Sequence, residues 1–265
     1  MSDSTEIIKW DPELVERLMG VVRRVVKVWF RSEVRGLEKI PNGGVLVVSN
    51  HSGGLLPMDV PVFAADFFAK FGYDRPVYTL SHDMLLSGPM GRLMARAGFI
   101  GASRANAAAS LRAGGVVVVF PGGGHDVFRP TREQTVIDFD GHTGYVSAAI
   151  EAGVPIVPAV SIGGQETQLF LARGTWLAQR MPLRRKLFRS GIIPLSVGFP
   201  FGVSAVFPPN IPLPAKIVTQ VVDPIDIPAT FGEQPDVAVV DSYVRAAMQA
   251  ALDELAAQRR FPILG

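Results

Sequence analysis

Two short stretches hold most of the residues whose types and spacing could do chemistry. One is Asn50-His51-Ser52-Gly53-Gly54, followed by Asp59; the other is Phe120-Pro121-Gly122-Gly123-Gly124-His125-Asp126. A histidine takes up a proton near neutral pH, so His51 can serve as a general base. An aspartate bonded to its other ring nitrogen would hold the tautomer and support the imidazolium, a role open to Asp59. Gly122, Gly123 and Gly124 offer backbone N–H groups with no side chains in the way, which suits an oxyanion or a phosphate. The same glycines would also serve a tight turn after a strand. Arg104 could hold a phosphate through its planar guanidinium, or make an ordinary surface ion pair. The chain has no Gly-x-Ser-x-Gly elbow, no Gly-Lys-Ser/Thr loop and no cysteine. A covalent intermediate by those routes therefore has no support.

The elements that must position these residues follow from hydrophobic periodicity. Val45-Leu-Val-Val-Ser49 and Gly115-Val-Val-Val-Val-Phe120 read as fully buried strands. Each runs into one of the polar loops, which is where α/β proteins place their functional groups. Further strands are expected near 76–80, 99–100, 154–160 and 215–222. Helices are expected over 59–71, 87–96, 105–113, 144–152 and 236–259. The alternation predicts an α/β fold: a central mixed sheet flanked by helices. Residues 12–32 add an N-terminal amphipathic helix, with Leu14, Leu18, Val21, Val22, Val25, Val26, Trp29 and Phe30 at helical steps. Arg17, Arg23, Arg24, Lys27 and Arg31 fall on its other side. Such a helix can pack on the domain or lie on anionic lipid. The division expected is an amphipathic segment over 1–34 and one domain over 35–265.

Composition narrows the class. Of 265 residues, 48% are hydrophobic and 19% charged, which favours a large core or a membrane-facing surface over disorder. The absence of cysteine excludes disulfides and thiolate metal sites. The net charge of +2 gives no whole-chain field for nucleic acid. Met1 to Trp10 is acidic and lacks an apolar core, unlike a secretory signal. Residues 173–189 carry six cations and no acid, a solvated face or a patch for anionic headgroups. Residues 190–215 carry no charge at all, but six prolines bar a membrane-spanning helix. They are expected to form an apolar wall inside the domain, or a loop dipping into a membrane surface. His82 and Asp83 also follow a strand and are a rival base pair.

Four blocks stand in one order: Asn50-His51 with Asp59, Gly98-Phe-Ile-Gly-Ala-Ser-Arg104, Phe120-Pro-Gly-Gly-Gly-His-Asp126, and Val154-Pro-Ile-Val-Pro158. Together they resemble the glycerolipid and lysophospholipid acyltransferase superfamily over roughly residues 35–165. The resemblance implies transfer of a fatty acyl group from acyl-CoA or acyl carrier protein to a hydroxyl of a glycerolipid or lysophospholipid. It implies His51 and Asp59 as the catalytic pair. Ser52, Gly53, Arg104, Gly122, Gly123, Gly124, His125 and Asp126 would contact substrate, and the apolar wall at 190–215 would line a channel for the acyl chain. No metal and no resident cofactor are implied, acyl-CoA being a co-substrate. The expected setting is a peripheral one on the cytoplasmic, inner face of a membrane, with a role in lipid and phospholipid synthesis.

Two departures bear on this reading. Seven residues separate His51 from Asp59, more than the family's block allows, though Gly53 and Gly54 could fold the loop back. Gly122 stands where the family's Phe-Pro-Glu-Gly block has its glutamate, and His125 where it has arginine. Phe-Pro-Gly-Gly followed by an acid is similar to the branch that acylates neutral acceptors such as diacylglycerol or a long-chain alcohol. Asp126 would then replace that branch's glutamate. A lipid-binding protein without turnover, and a thioesterase-like hydrolase in which His51 activates water, are the readings of other classes.

Overall fold

The computed structural model describes residues 10–54, 57–81, 86–180, 191–205, 208–259 and 261. A seven-stranded sheet has the order β1-β10-β6-β2-β5-β3-β4. In chain order these are β1 (Glu33–Arg35), β2 (Val45–Ser49), β3 (Val77–Ser81), β4 (Phe99–Gly101), β5 (Val116–Val119), β6 (Ile156–Ile162) and β10 (Val218–Val221). All neighbours run parallel except β10 and β6, which are antiparallel, so the sheet is mixed as expected.

Strand β2 lies between β5 and β6, and its five residues are all buried. Its side chains alternate between two cores. Val45 and Val47 join Phe63, Phe67 and Val118 under α2 (Asp59–Phe71). Leu46 and Val48 join Leu111, Val146 and Met248. Those residues come from α4 (Arg104–Arg112), α6 (Gly144–Ala152) and α9 (Val237–Gln258). Both faces are covered by helices, which is why the strand reads as an unbroken apolar run. The remaining helices are α1 (Pro12–Val28), α3 (Gly88–Arg96), the one-turn α5 (Gly123–Val127), α7 (Thr175–Arg180) and α8 (Ile227–Phe231).

Helix α1 opens with Asp11 accepting from the Leu14 N–H, and with Pro12 in its first turn, where a missing N–H does no harm. Its apolar surface is divided. Val15, Val26 and Phe30 are buried, with Val22 packed beside Val62 and Ala65 of α2. Val21, Val25, Val28 and Trp29 are exposed. The stripe read from sequence is thus wider than the groove that receives it.

A second, three-stranded antiparallel sheet follows β6: β7 (Leu169–Ala172), β8 (Leu195–Gly198) and β9 (Gly202–Ala205). Its strands β8 and β9 come from the uncharged stretch that was expected to form an apolar wall. The turn Gly164–Glu166 joins this sheet to β6. Among the described residues no helix is long and apolar enough to cross a membrane. His82 and Asp83 lie outside the described residues, as do Arg184, Arg185, Lys186 and Arg189 of the basic stretch.

Candidate active site

Strands β2, β3 and β5 are parallel neighbours, so the loops after their last residues gather along one edge of the sheet. His51 leaves β2 there, and Phe120-Pro121-Gly122 leaves β5. Asn50 secures the exit. Its side chain donates to the Ser161 carbonyl at 2.9 Å and accepts from the Ser161 N–H at 2.8 Å, extending the β6 pairing by one residue through an amide.

His51 is held on three sides. Its Nδ1 lies 3.0 Å from Asp59 Oδ2, its backbone N–H donates to Asp126 Oδ2 at 2.6 Å, and its ring stacks on Phe120 with centroids 3.9 Å apart. The seven intervening residues are accommodated because Gly53 and Gly54 both adopt left-handed φ, +100° and +99°. A side chain at Gly53 would also collide with Gln165, a Cβ lying 2.3 Å from its Cδ. Asp59 stands in the first turn of α2 and is buried. Besides His51 it accepts from the Ser52 N–H at 3.2 Å and the Ser52 hydroxyl at 2.5 Å. A carboxylate that accepts three donors has one orientation, and it holds Nδ1 as the protonated nitrogen. Nε2 then has no protein partner among the described residues.

His51 borders an open cavity of about 1760 Å³. Toward β3 and β4 the lining is apolar, with Met58, Pro61, Leu80, Met94 and Phe99. Around His125 it is polar, with Arg132, Glu133, His142 and Arg173. Gly122, Gly123 and Gly124 line it as well. The Gly123 N–H is already committed to the Phe120 carbonyl at 3.0 Å. Among the described residues the N–H groups of Gly122 and Gly124 carry no such bond, which leaves two of the three glycines as donors.

Several residues expected to touch substrate do otherwise. Asp126 is 0% exposed and does not reach the cavity. The single turn of α5 carries it inward, where it pairs with the buried Arg129 guanidinium three residues on and accepts from the His51 N–H. Burial lowers the Arg129 pKa to about 10, so the guanidinium stays charged at neutral pH. Asp126 therefore ties the second block to the first from behind. Ser52 is buried and serves Asp59, and Gly53 supports the loop; neither borders the cavity. Arg104 opens α4 just after the capping Ser103, exposed and off the cavity wall. His125 does border the cavity, with Nε2 2.9 Å from Asp138 Oδ2. Asp138 is held below the usual carboxylate range, first by the Asp140 N–H, with His125 adding to it. Among the described residues of the uncharged stretch 190–215, only Gly191 and Ile192 meet the cavity, so the acyl-channel role assigned to it is corrected for those residues. In its strands Ser196 and Ser204 are buried, Leu195 and Val197 are half-buried and Val203 is exposed.

Sequence reasoning missed Asn50 as a clamp, Phe120 as the platform under His51, and Arg129. The Asp126-x-x-Arg129 spacing on a helical turn was the available signal for the last.

A histidine oriented by a carboxylate, at the carboxyl edge of a parallel sheet, beside a half-apolar cavity with glycine N–H donors, defines an acyl-transfer type of site. The comparisons agree. The family model described as Acyltransferase matches residues 31–162. An uncharacterised protein of Mycobacterium tuberculosis is 31% identical over 264 residues, covering 97% of this chain and 71% of its own. A mouse protein, "DGAT1/2-independent enzyme synthesizing storage lipids", is 27% identical, covering 73% of this chain and 56% of its own. The crystal structure of the 1-acyl-sn-glycerophosphate (LPA) acyltransferase PlsC from Thermotoga maritima superposes with a TM-score of 0.57. That match covers 92% of this chain and 81% of the other at 19% identity, a likeness of fold. The chain belongs to the glycerolipid acyltransferase superfamily.

Proposed function

We propose that the chain transfers a fatty acyl group from a thioester, acyl-CoA or acyl carrier protein, to a hydroxyl of a glycerolipid or lysophospholipid. The observation that carries this reading is the His51–Asp59 pair, 3.0 Å apart, stacked on Phe120 at the cavity wall. Nε2 of His51 takes the proton from the acceptor hydroxyl as its oxygen attacks the thioester carbonyl. The Gly122 and Gly124 N–H groups stabilise the tetrahedral oxyanion. Collapse expels the thiolate, which takes the proton back from His51. The apolar arm between α2, α3 and β4 holds the donor's tail, each buried CH₂ contributing about 0.8 kcal/mol. The enzyme works as a peripheral protein at the inner face of a membrane, where its acceptor resides.

A specific set of contacts favours a neutral acceptor, diacylglycerol or a long-chain alcohol. Arg104 is off the cavity, His125 is engaged by carboxylates, and Arg173 is paired with Glu133 at 3.1 Å. Among the described cavity residues, His125, Arg132 and Arg173 each already have a carboxylate partner. The storage-lipid name of the mouse relative supports the same choice.

Purified protein incubated with an acyl-CoA and a lipid extract, read by mass spectrometry, tests the reading. Lipid ester with free CoA is the expected result. Free fatty acid with CoA would mean a hydrolase, and neither product would mean a lipid-binding protein. Ester on diacylglycerol but not on lysophosphatidate would select the neutral acceptor.

A further inference from the structure

The small sheet is built with its polarity reversed. Register places Leu169 opposite Val197 and Val197 opposite Val203 on one face. Phe170, Ser196 and Ser204 oppose one another on the other face and are all buried. The inner face is held by polar bonds. Gln168 donates to the Ser196 hydroxyl at 2.9 Å, and the Ser204 hydroxyl donates to the Pro208 carbonyl at 2.8 Å. The outer face is aliphatic, and Val203 is 68% exposed. At the hairpin tip Phe199 and Phe201 are 67% and 55% exposed. An apolar face of this kind on a water-facing protein marks a surface made to be covered.

The exposed stripe of α1 adjoins it. The Trp29 indole N–H donates to the Pro212 carbonyl at 3.0 Å, and the neighbouring Ile211 bridges Phe199 through its N–H at 2.8 Å. Val25, Val28, Trp29, Ile211 and Phe199 thus form one connected surface, all exposed. At the other end Leu171 and Trp176 are exposed and also line the cavity that holds His51.

We infer that this surface docks on an anionic phospholipid bilayer and delivers lipid along Leu171 and Trp176 into the cavity. Three features select a bilayer over a protein. Residues 191–215 contain no charge, so the outer face offers a protein partner no ionic pairing to set its register. The cations stand at the rim: Arg23 and Arg24 are exposed on α1, and residues 17–32 contain no acid. Two tryptophans, Trp29 and Trp176, stand half-exposed at its margins, as side chains at a membrane–water boundary do. The inference deepens the peripheral setting proposed above by naming the surface that docks, and it rests on the proposed function for lipid as the cargo.

The test uses the full chain and vesicles of phosphatidylcholine, with and without phosphatidylglycerol. Flotation should show binding that needs phosphatidylglycerol and weakens as salt rises. The double substitution Phe199→Ser with Phe201→Ser, and separately Val203→Glu, should each reduce vesicle binding about tenfold or more. Turnover of a water-soluble short-chain thioester with a soluble alcohol should stay unchanged, because neither site touches the cavity. Undiminished flotation of both variants would overturn the inference. So would a wild-type dimer in solution that the substitutions dissociate, since the occupant would then be a second copy. Loss of flotation in a protein that acylates nothing would leave the docking surface standing and remove only the proposed function.

Discussion

The two sheets of this protein solve opposite problems with similar residues. In the large sheet every side chain of β2 is buried, and the polar groups appear only past its end, at Asn50 and His51. In the small sheet the buried positions are held by Ser196, Ser204, Gln168 and Asn210, while Leu169, Val203 and Phe201 face outward. Helices on both sides make an apolar strand stable in the first case. In the second, satisfied polar bonds hold the inner face, leaving the apolar face for something outside the chain. A valine is therefore core in one sheet and contact surface in the other, and only its neighbours say which.

The comparison breaks first, and most severely, at the buried pair behind the active site. Asp126→Ala would leave the Arg129 guanidinium buried without its carboxylate, which costs about 3–5 kcal/mol. Chemical denaturation of the purified variant should show that loss. The milder Asp126→Asn keeps an acceptor for the His51 N–H. If Asp126 positions the base, the variant should lower kcat with little change in KM and displace the pH profile. An unchanged profile in a well-folded Asp126→Asn protein would reduce the residue to scaffolding.

Next in size is the base itself. His51→Ala should lower the chemical rate about 100-fold or more, with the unfolding midpoint close to that of the parent. A variant that retained its rate would remove His51 from the reaction.

The joint between the sheets comes third. Glu166 ends the turn that leads from β6 to β7, and it pairs with Arg259 just beyond α9. Burial pushes its carboxyl up to about 7, with Arg259 pulling the other way. A raised carboxyl pKa means the folded state holds the proton more tightly than the unfolded chain does. That contribution is fully present below about pH 4.5, declines as pH rises toward 7 and is flat above. Glu166→Gln should flatten the dependence by about 2 kcal/mol, measured as denaturant midpoints from pH 5 to 8. A midpoint that rises with pH over this window in the parent, and not in the variant, would reverse the sign.

The finest test compares one aliphatic residue from each sheet. Ile156→Val in β6 should cost about 1 kcal/mol, as buried methyl deletions do. Val203→Ala in β9 should stay within about 0.5 kcal/mol, as exposed substitutions do. Equal losses would mean that the outer face of the small sheet is covered within the chain itself.

What the sequence determined by itself was what local rules govern. Short valine-rich runs bounded by turn residues favour buried strands, so β2 and β5 were legible, as were the loops that leave them. Two glycines inside a long His51-to-Asp59 spacing signalled a fold-back, and +100° and +99° are the φ values that a fold-back needs. The tertiary structure decided which way side chains face. The absence of charge in 191–215 reports composition, and the same residues could have lined a channel or covered a surface. Pairing with β7 placed Ser196 and Ser204 inward and Val203 outward. Asp126 lies two residues past the glycine run, close enough in sequence to pass for a substrate contact. One helical turn rotated it to the buried side, where Arg129 and the His51 N–H were its partners. Orientation of this kind depends on contacts distant in sequence, and no local pattern encodes them.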